Sequence, residues 1–79
     1  MNRFERKVIN AIARETGIDK KEIRLDSNLY DIGIDSLSAL ELLVALEDKY
    51  DMRIPEDELN NLTTVREIVK VVQRNVNAL

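Results

Sequence analysis

Ser36 is the residue of this chain whose type and setting could do chemistry. It follows Asp35, precedes Leu37, and opens the strongest amphipathic segment of the sequence, which runs from about Ser36 to Tyr50; Gly33 stands two residues ahead of the aspartate. A serine so placed has three uses. It can cap a helix, because Ser, Thr, Asn and Asp oxygens accept from the unpaired N–H groups of a first turn, and Ser36 reads as that N-cap, with about 1 kcal/mol at stake in Ser36→Ala. It can be a nucleophile, which requires a base within reach and donors for an oxyanion. It can accept a covalent group. The second use is closed: the chain has no His, and the nearest lysine on the same segment, Lys49, is almost four turns away. A calcium loop of the EF-hand kind fails as well. Counted from Asp26, position six is Asp31 and position twelve Leu37; counted from Asp51, they are Glu56 and Leu62, where Gly and Glu are needed.

Composition narrows the classes further. Seventy-nine residues suffice for one domain, residues 1–79, near the lower size limit for folding without disulfides or metals. With no Cys and no His there are no disulfides, thiol nucleophiles or imidazole bases, and no metal site is expected. No apolar run approaches the ~20 residues of a membrane span, and the first residues alternate charge with apolar side chains where a signal peptide is continuously hydrophobic. A cytoplasmic monomer is the expectation. The formal charge of −3 argues against nucleic acid as a partner, since phosphate binding needs a basic face. The acids concentrate between residues 30 and 60, where only Lys49 and Arg53 oppose them, and such a centre invites a basic partner surface.

The elements that must position Ser36 are helical. Phe4, Val8, Ala11 and Ile12 share one face of a helix from Arg3 to Thr16, and Gly17 stands where a left-handed cap is wanted. Residues 18–35 carry isolated aliphatics (Ile18, Ile23, Leu25, Leu29, Ile32, Ile34) without a sustained period, which predicts a long loop pinned to the core. Ile54-Pro55-Glu56 places Pro at the first position of a short third helix with acids in its first turn. Thr64-Val65-Arg66-Glu67 matches a capping box, and Val65, Ile68, Val69, Val72 and Val76 form the stripe of a last helix. No segment reads as a strand. The fold class is all-α: a small bundle of three long helices and one short, with a long loop between helices one and two.

The second helix carries two apolar arcs. Ala39, Leu42, Leu43, Leu46 and Tyr50 fall on one; Leu37, Leu40 and Val44 fall with Ser36 on another. Both cannot face one small core. The wider arc is the core face, and the narrower one, flanked by Glu41, Glu47 and Asp48, reads as an exposed docking stripe.

Asp31-Ile32-Gly33-Ile34-Asp35-Ser36-Leu37, the helix order, the Ile54-Pro55-Glu56 turn and the acidic second helix together resemble the acyl carrier protein family over nearly the whole chain. The resemblance implies a 4′-phosphopantetheine arm, taken from coenzyme A, on Ser36, with Asp35 assisting attachment by helping a transferase and its metal position the coenzyme. A phosphodiester there would lie near the positive end of the helix dipole. Such a protein is not an enzyme: its arm ends in a thiol that holds acyl groups as thioesters and presents them to successive enzymes. Partners implied are a phosphopantetheinyl transferase and acyl-processing enzymes with basic docking patches, meeting Leu37, Glu41, Val44, Glu47 and Asp48. Leu42, Leu46, Ile54, Leu59, Leu62 and Ile68 are candidates to line a shelter for the acyl chain.

Within the family the motif looks most like carriers of fatty acid synthesis. Two departures point to a specialised carrier for a polyketide, a modified lipid or another dedicated acyl group. Ser38 replaces an acid common in the fatty-acid branch, and many Lys and Arg lie outside the second helix. Ile34 replaces the second Gly that peptidyl carriers often show; a D-alanyl carrier is a further alternative. A rival reading of another class is an unmodified helical interaction module that uses the Leu37/Val44 stripe alone.

Overall fold

The computed structural model describes residues 1–60 and 62–76. Four helices follow one another: α1 (Arg3–Thr16), α2 (Ser36–Tyr50), α3 (Glu56–Leu59) and α4 (Val65–Val76). Among the described residues there is no strand, and the one β-bridge pairs Asn28 with Thr64. The helical bundle expected from periodicity is therefore the observed fold.

Local signals set most of the helix ends. At the start of α1 the Asn2 side chain accepts from the Glu5 N–H at 2.8 Å while the Asn2 N–H donates to Glu5 Oε1 at 2.7 Å, a reciprocal cap that satisfies two otherwise orphaned donors. Gly17 ends the helix at φ 77°, a left-handed conformation that costs a side chain with Cβ about 1–2 kcal/mol. At the start of α4 the expected capping box forms: the Glu67 N–H donates to Thr64 Oγ1 at 3.3 Å and the Thr64 N–H to Glu67 Oε1 at 2.9 Å. The short helix is displaced by one residue from the sequence reading. Pro55 is extended at ψ 142° and occupies the cap position, so α3 begins at Glu56.

The core lies where α1, α2 and α4 meet. Val8 and Ile12 of α1, Leu42 and Leu46 of α2, and Val65, Ile68 and Val72 of α4 are essentially inaccessible, each burial stabilising the fold by about 1.5–3 kcal/mol. Val76, assigned to the same stripe by period, sits half-buried at its edge. Ile23, Leu29 and Ile34 of the long connection are buried with them, while Ile18, Leu25 and Ile32 pack against the rim.

That connection is fastened to the start of α4. The Leu29 N–H donates to Thr63 O at 3.0 Å, Val65 N–H to Ser27 O at 3.1 Å, and Arg66 N–H to Leu25 O at 2.8 Å. Two 3₁₀ turns, Lys20–Glu22 and Tyr30–Ile32, shorten it. The second turn closes with the Gly33 N–H donating to Tyr30 O at 3.1 Å, and the Ile34 N–H donates to Leu29 O at 2.9 Å. Gly33 has φ 92°, and this reversal delivers the chain to the start of α2.

Candidate functional site

Three oxygen-bearing side chains stand at the start of α2, and the structure gives each a different task. Asp35, not Ser36, is the N-cap: its backbone is extended at φ −82° and ψ −176°, and its carboxylate accepts from the Ser38 N–H at 2.8 Å. That hydrogen bond, with the Ser38 hydroxyl next to it, holds the Asp35 carboxyl below its ordinary value. Ser36 is the first helical residue instead. Removing its hydroxyl leaves the cap in place, so the stability loss expected of a capping serine does not apply to Ser36→Ala. Asp, Ser and Ser at 35, 36 and 38 are all competent caps; the extended backbone at Asp35 decides between them.

The Ser36 hydroxyl is thereby released from helix capping. It is exposed, and its Oγ lies 2.6 Å from the hydroxyl of Tyr30. Tyr30 is itself 63% exposed. Its place is fixed from behind: its N–H donates to Asn28 Oδ1 at 2.9 Å, and Asn28 is bridged to Thr64 at the start of α4. Sequence reasoning missed Tyr30. The available signal was the Asn28-Leu29-Tyr30 order, an Asx turn followed by an aromatic with no helical face to join.

Two shallow depressions flank this point. One, of about 300 Å³, is walled by Leu29, Tyr30, Ile34, Asp35, Ser36, Ala39, Leu40, Leu43, Leu59, Asn60 and Leu62. The other, of about 430 Å³, lies toward α1 and is bounded by Glu15, Thr16, Ile18, Gly33, Ile34, Ser38, Glu41 and Leu42. Of the six residues expected to line an acyl shelter, Leu59 and Leu62 reach the first and Leu42 the second. Leu46, Ile54 and Ile68 reach neither; they are 0%, 4% and 0% exposed and fill the core. A 3.6-residue period identifies them as inward-facing but does not distinguish a cavity wall from its packed interior.

The second apolar arc of α2 is on the surface. Leu37, Leu40 and Val44 are 67%, 51% and 52% exposed, and Glu41 and Asp48 are exposed among them. Leu40 also forms part of the wall beside Ser36. Glu47 is different: it is half-buried, and its Oε2 accepts from the Ile54 N–H at 2.7 Å, which ties the segment after α2 back to the helix. Its carboxylate serves the fold as a local cap.

Chemically, an exposed primary hydroxyl at a helix start can take a phosphoryl ester. The start of a helix favours an anion through its dipole and its unpaired N–H groups, and the adjoining carboxylate is engaged with the Ser38 N–H. The residues present fit a phosphodiester-linked arm, whose terminal thiol would hold an acyl group as a thioester.

Comparison with known proteins agrees. The family model for the phosphopantetheine attachment site matches residues 6–72. An acyl carrier protein from Thermotoga maritima superimposes with a TM-score of 0.84 at 17% identity, covering 98% of this chain and 95% of that one; at that identity the likeness concerns the fold. The hexanoyl form of the acyl carrier protein of the actinorhodin polyketide synthase from Streptomyces coelicolor superimposes with a TM-score of 0.73 at 28% identity, covering 95% of this chain and 87% of that one. The chain belongs to the phosphopantetheine-attachment family of acyl carrier proteins, non-catalytic carriers whose prosthetic group is a covalently bound 4′-phosphopantetheine.

Proposed function

We propose that residues 1–79 act as one carrier domain in which Ser36 bears the 4′-phosphopantetheine arm, and that the protein presents acyl thioesters to the enzymes of a dedicated lipid or polyketide assembly. The observation that carries this reading is the exposed Ser36 hydroxyl, free of helix capping, at the start of α2, inside the segment matched by the family model. Asp35 holds the first turn in the geometry that presents the serine. Leu37, Glu41, Val44 and Asp48 form the docking stripe, on which acids steer the encounter with basic partner patches and apolar side chains fix the register. Glu47 contributes charge from a position held by Ile54.

Ser38 and the Lys and Arg outside α2 favour a specialised carrier over one of general fatty acid synthesis. The likeness to a polyketide synthase carrier along 95% of this chain supports the same branch. Among the described residues no helix is long and apolar enough to cross a membrane.

The test is intact-protein mass after incubation with coenzyme A, Mg²⁺ and a broad-specificity phosphopantetheinyl transferase, followed by peptide mapping. One phosphopantetheine is expected on Ser36, and none on a folded Ser36→Ala variant. Label on Ser36→Ala would refute the attachment site. A folded wild-type chain left unmodified beside an active control carrier would favour the unmodified interaction module.

A further inference from the structure

Tyr30 has no place in the core and none in the α2 stripe, yet its hydroxyl makes the bond that holds the Ser36 side chain. Without a partner, a serine near a helix start turns back onto neighbouring backbone groups. The Tyr30 hydroxyl competes with those groups for Ser36 Oγ, and the two residues border one depression. Tyr30 is a suitable post for this, because its backbone is pinned on both sides: its N–H to Asn28 Oδ1 at 2.9 Å and its carbonyl to the Gly33 N–H at 3.1 Å.

In the unmodified chain either oxygen can be the donor. Modification removes the choice. Ser36 Oγ attacks the β-phosphorus of coenzyme A, the new Oγ–P bond forms, the bond to 3′,5′-ADP breaks, and the serine proton leaves with the transferase's base. The ester oxygen then has no hydrogen, whereas Tyr30 keeps its own and can only donate. Donation to a phosphodiester anion is charge-assisted and stronger than the hydroxyl–hydroxyl bond it replaces.

We propose that Tyr30 is a positioning residue for Ser36: its hydroxyl orients Oγ for transfer and afterwards donates to the phosphodiester, anchoring the base of the arm beside the α2 depression. This inference rests on Ser36 being the attachment site, and it is tested with Tyr30→Phe, which keeps the ring and removes only the oxygen. Loss of one such bond should lower kcat for coenzyme A-dependent modification by about 3- to 10-fold while leaving the KM for the carrier near its wild-type value. The ³¹P resonance of the fully loaded Tyr30→Phe protein should be displaced from that of the loaded wild type, a readout that owes nothing to turnover. An unchanged kcat or an unchanged ³¹P resonance in Tyr30→Phe overturns the proposal. A wild-type chain that takes up no arm refutes the attachment reading instead, so the two failures are distinct. Tyr30→Ala serves as the second variant: a fall in kcat there, with Tyr30→Phe equal to wild type, assigns the effect to ring packing and overturns the role of the hydroxyl.

Discussion

Helices α2 and α4 start from similar chemistry and are used in opposite ways. Each opens with a capping residue and each buries a stripe of aliphatics in the common core. In α4 everything at the N-terminus is spent on the fold. Glu67 Oε1 accepts from the N–H and hydroxyl of both Thr63 and Thr64, and the preceding turn is laced to residues 25–29. Its apolar residues lie on one side. In α2 the cap is delegated to Asp35, the next hydroxyl is left at the surface, and the apolar residues divide between a buried arc and an exposed one. One helix closes the fold. The other keeps an end and a face available to partners, which is what a carrier needs.

The division within α2 should appear first as a large difference in stability. Leu46→Ala removes a side chain with no exposure and should cost about 2–5 kcal/mol, a large share of the total stability of a small domain. Val44→Ala, two positions earlier but 52% exposed, should stay within about 0.5 kcal/mol. Chemical denaturation of the two variants measures both. If Val44→Ala proved as costly as Leu46→Ala, the exposed arc would belong to the core and could not be a docking stripe.

A charge reversal tests the same face through kinetics. Glu41→Lys/Asp48→Lys should slow modification by a basic-patch transferase by about 10-fold or more at low ionic strength, with the difference shrinking as salt is added. Wild-type rates at low salt would remove the acidic stripe from the encounter. Glu47→Gln should act differently, since its carboxylate is bonded to the Ile54 N–H: its effect should fall on thermal stability more than on rate.

Much of this division was legible in the sequence because the signals are local. Gly17, the Thr64-to-Glu67 box and the two arcs of α2 depend on spacings of a few residues, and period alone separated Leu42, Leu43 and Leu46 from Leu37, Leu40 and Val44. What escaped needs contacts that spacing does not encode. Asp35 took the cap from Ser36 because its backbone is extended. Tyr30 meets Ser36 because a 3₁₀ turn and the positive φ of Gly33 fold the chain between them. Leu46, Ile54 and Ile68 belong to the packed interior and not to a surface depression because three helices converge there. Glu58, a first-turn acid of α3, holds α4 by accepting from Arg74 Nε at 2.9 Å and Asn75 Nδ2 at 3.2 Å.

At the start of α4, Thr64→Ala should cost about 1 kcal/mol as a lost cap, lowering Tm by about 4–8 °C, with phosphopantetheine uptake unchanged. Mass spectrometry beside thermal melts checks both halves; a Thr64→Ala protein that stays folded but resists modification would show that the start of α4 acts on the site directly.

Acid should reveal the same asymmetry in a smaller effect. Hydrogen bonds from Thr63 and Thr64 hold the Glu67 carboxyl below its ordinary value, Arg74 and Asn75 do so for Glu58, and Ser38 for Asp35. A carboxyl whose pKa is lower in the folded state than in the unfolded one stabilises the fold above its unfolded value, about 4, and loses that contribution as pH falls through its folded value. Melting temperature should therefore hold steady from pH 7 to about 5 and decline below about 4.5 as these groups protonate. Glu67→Gln, which cannot ionise, should melt lower than wild type at pH 7 and approach it near pH 3. Asp35→Asn should change the curve less, because asparagine caps nearly as well as aspartate and α2 has one such bond where α4 has four. If Asp35→Asn flattened the acid limb more than Glu67→Gln, the start of α2 would serve the fold no less than the start of α4 does, and the freedom assigned to Ser36 would have to come from elsewhere.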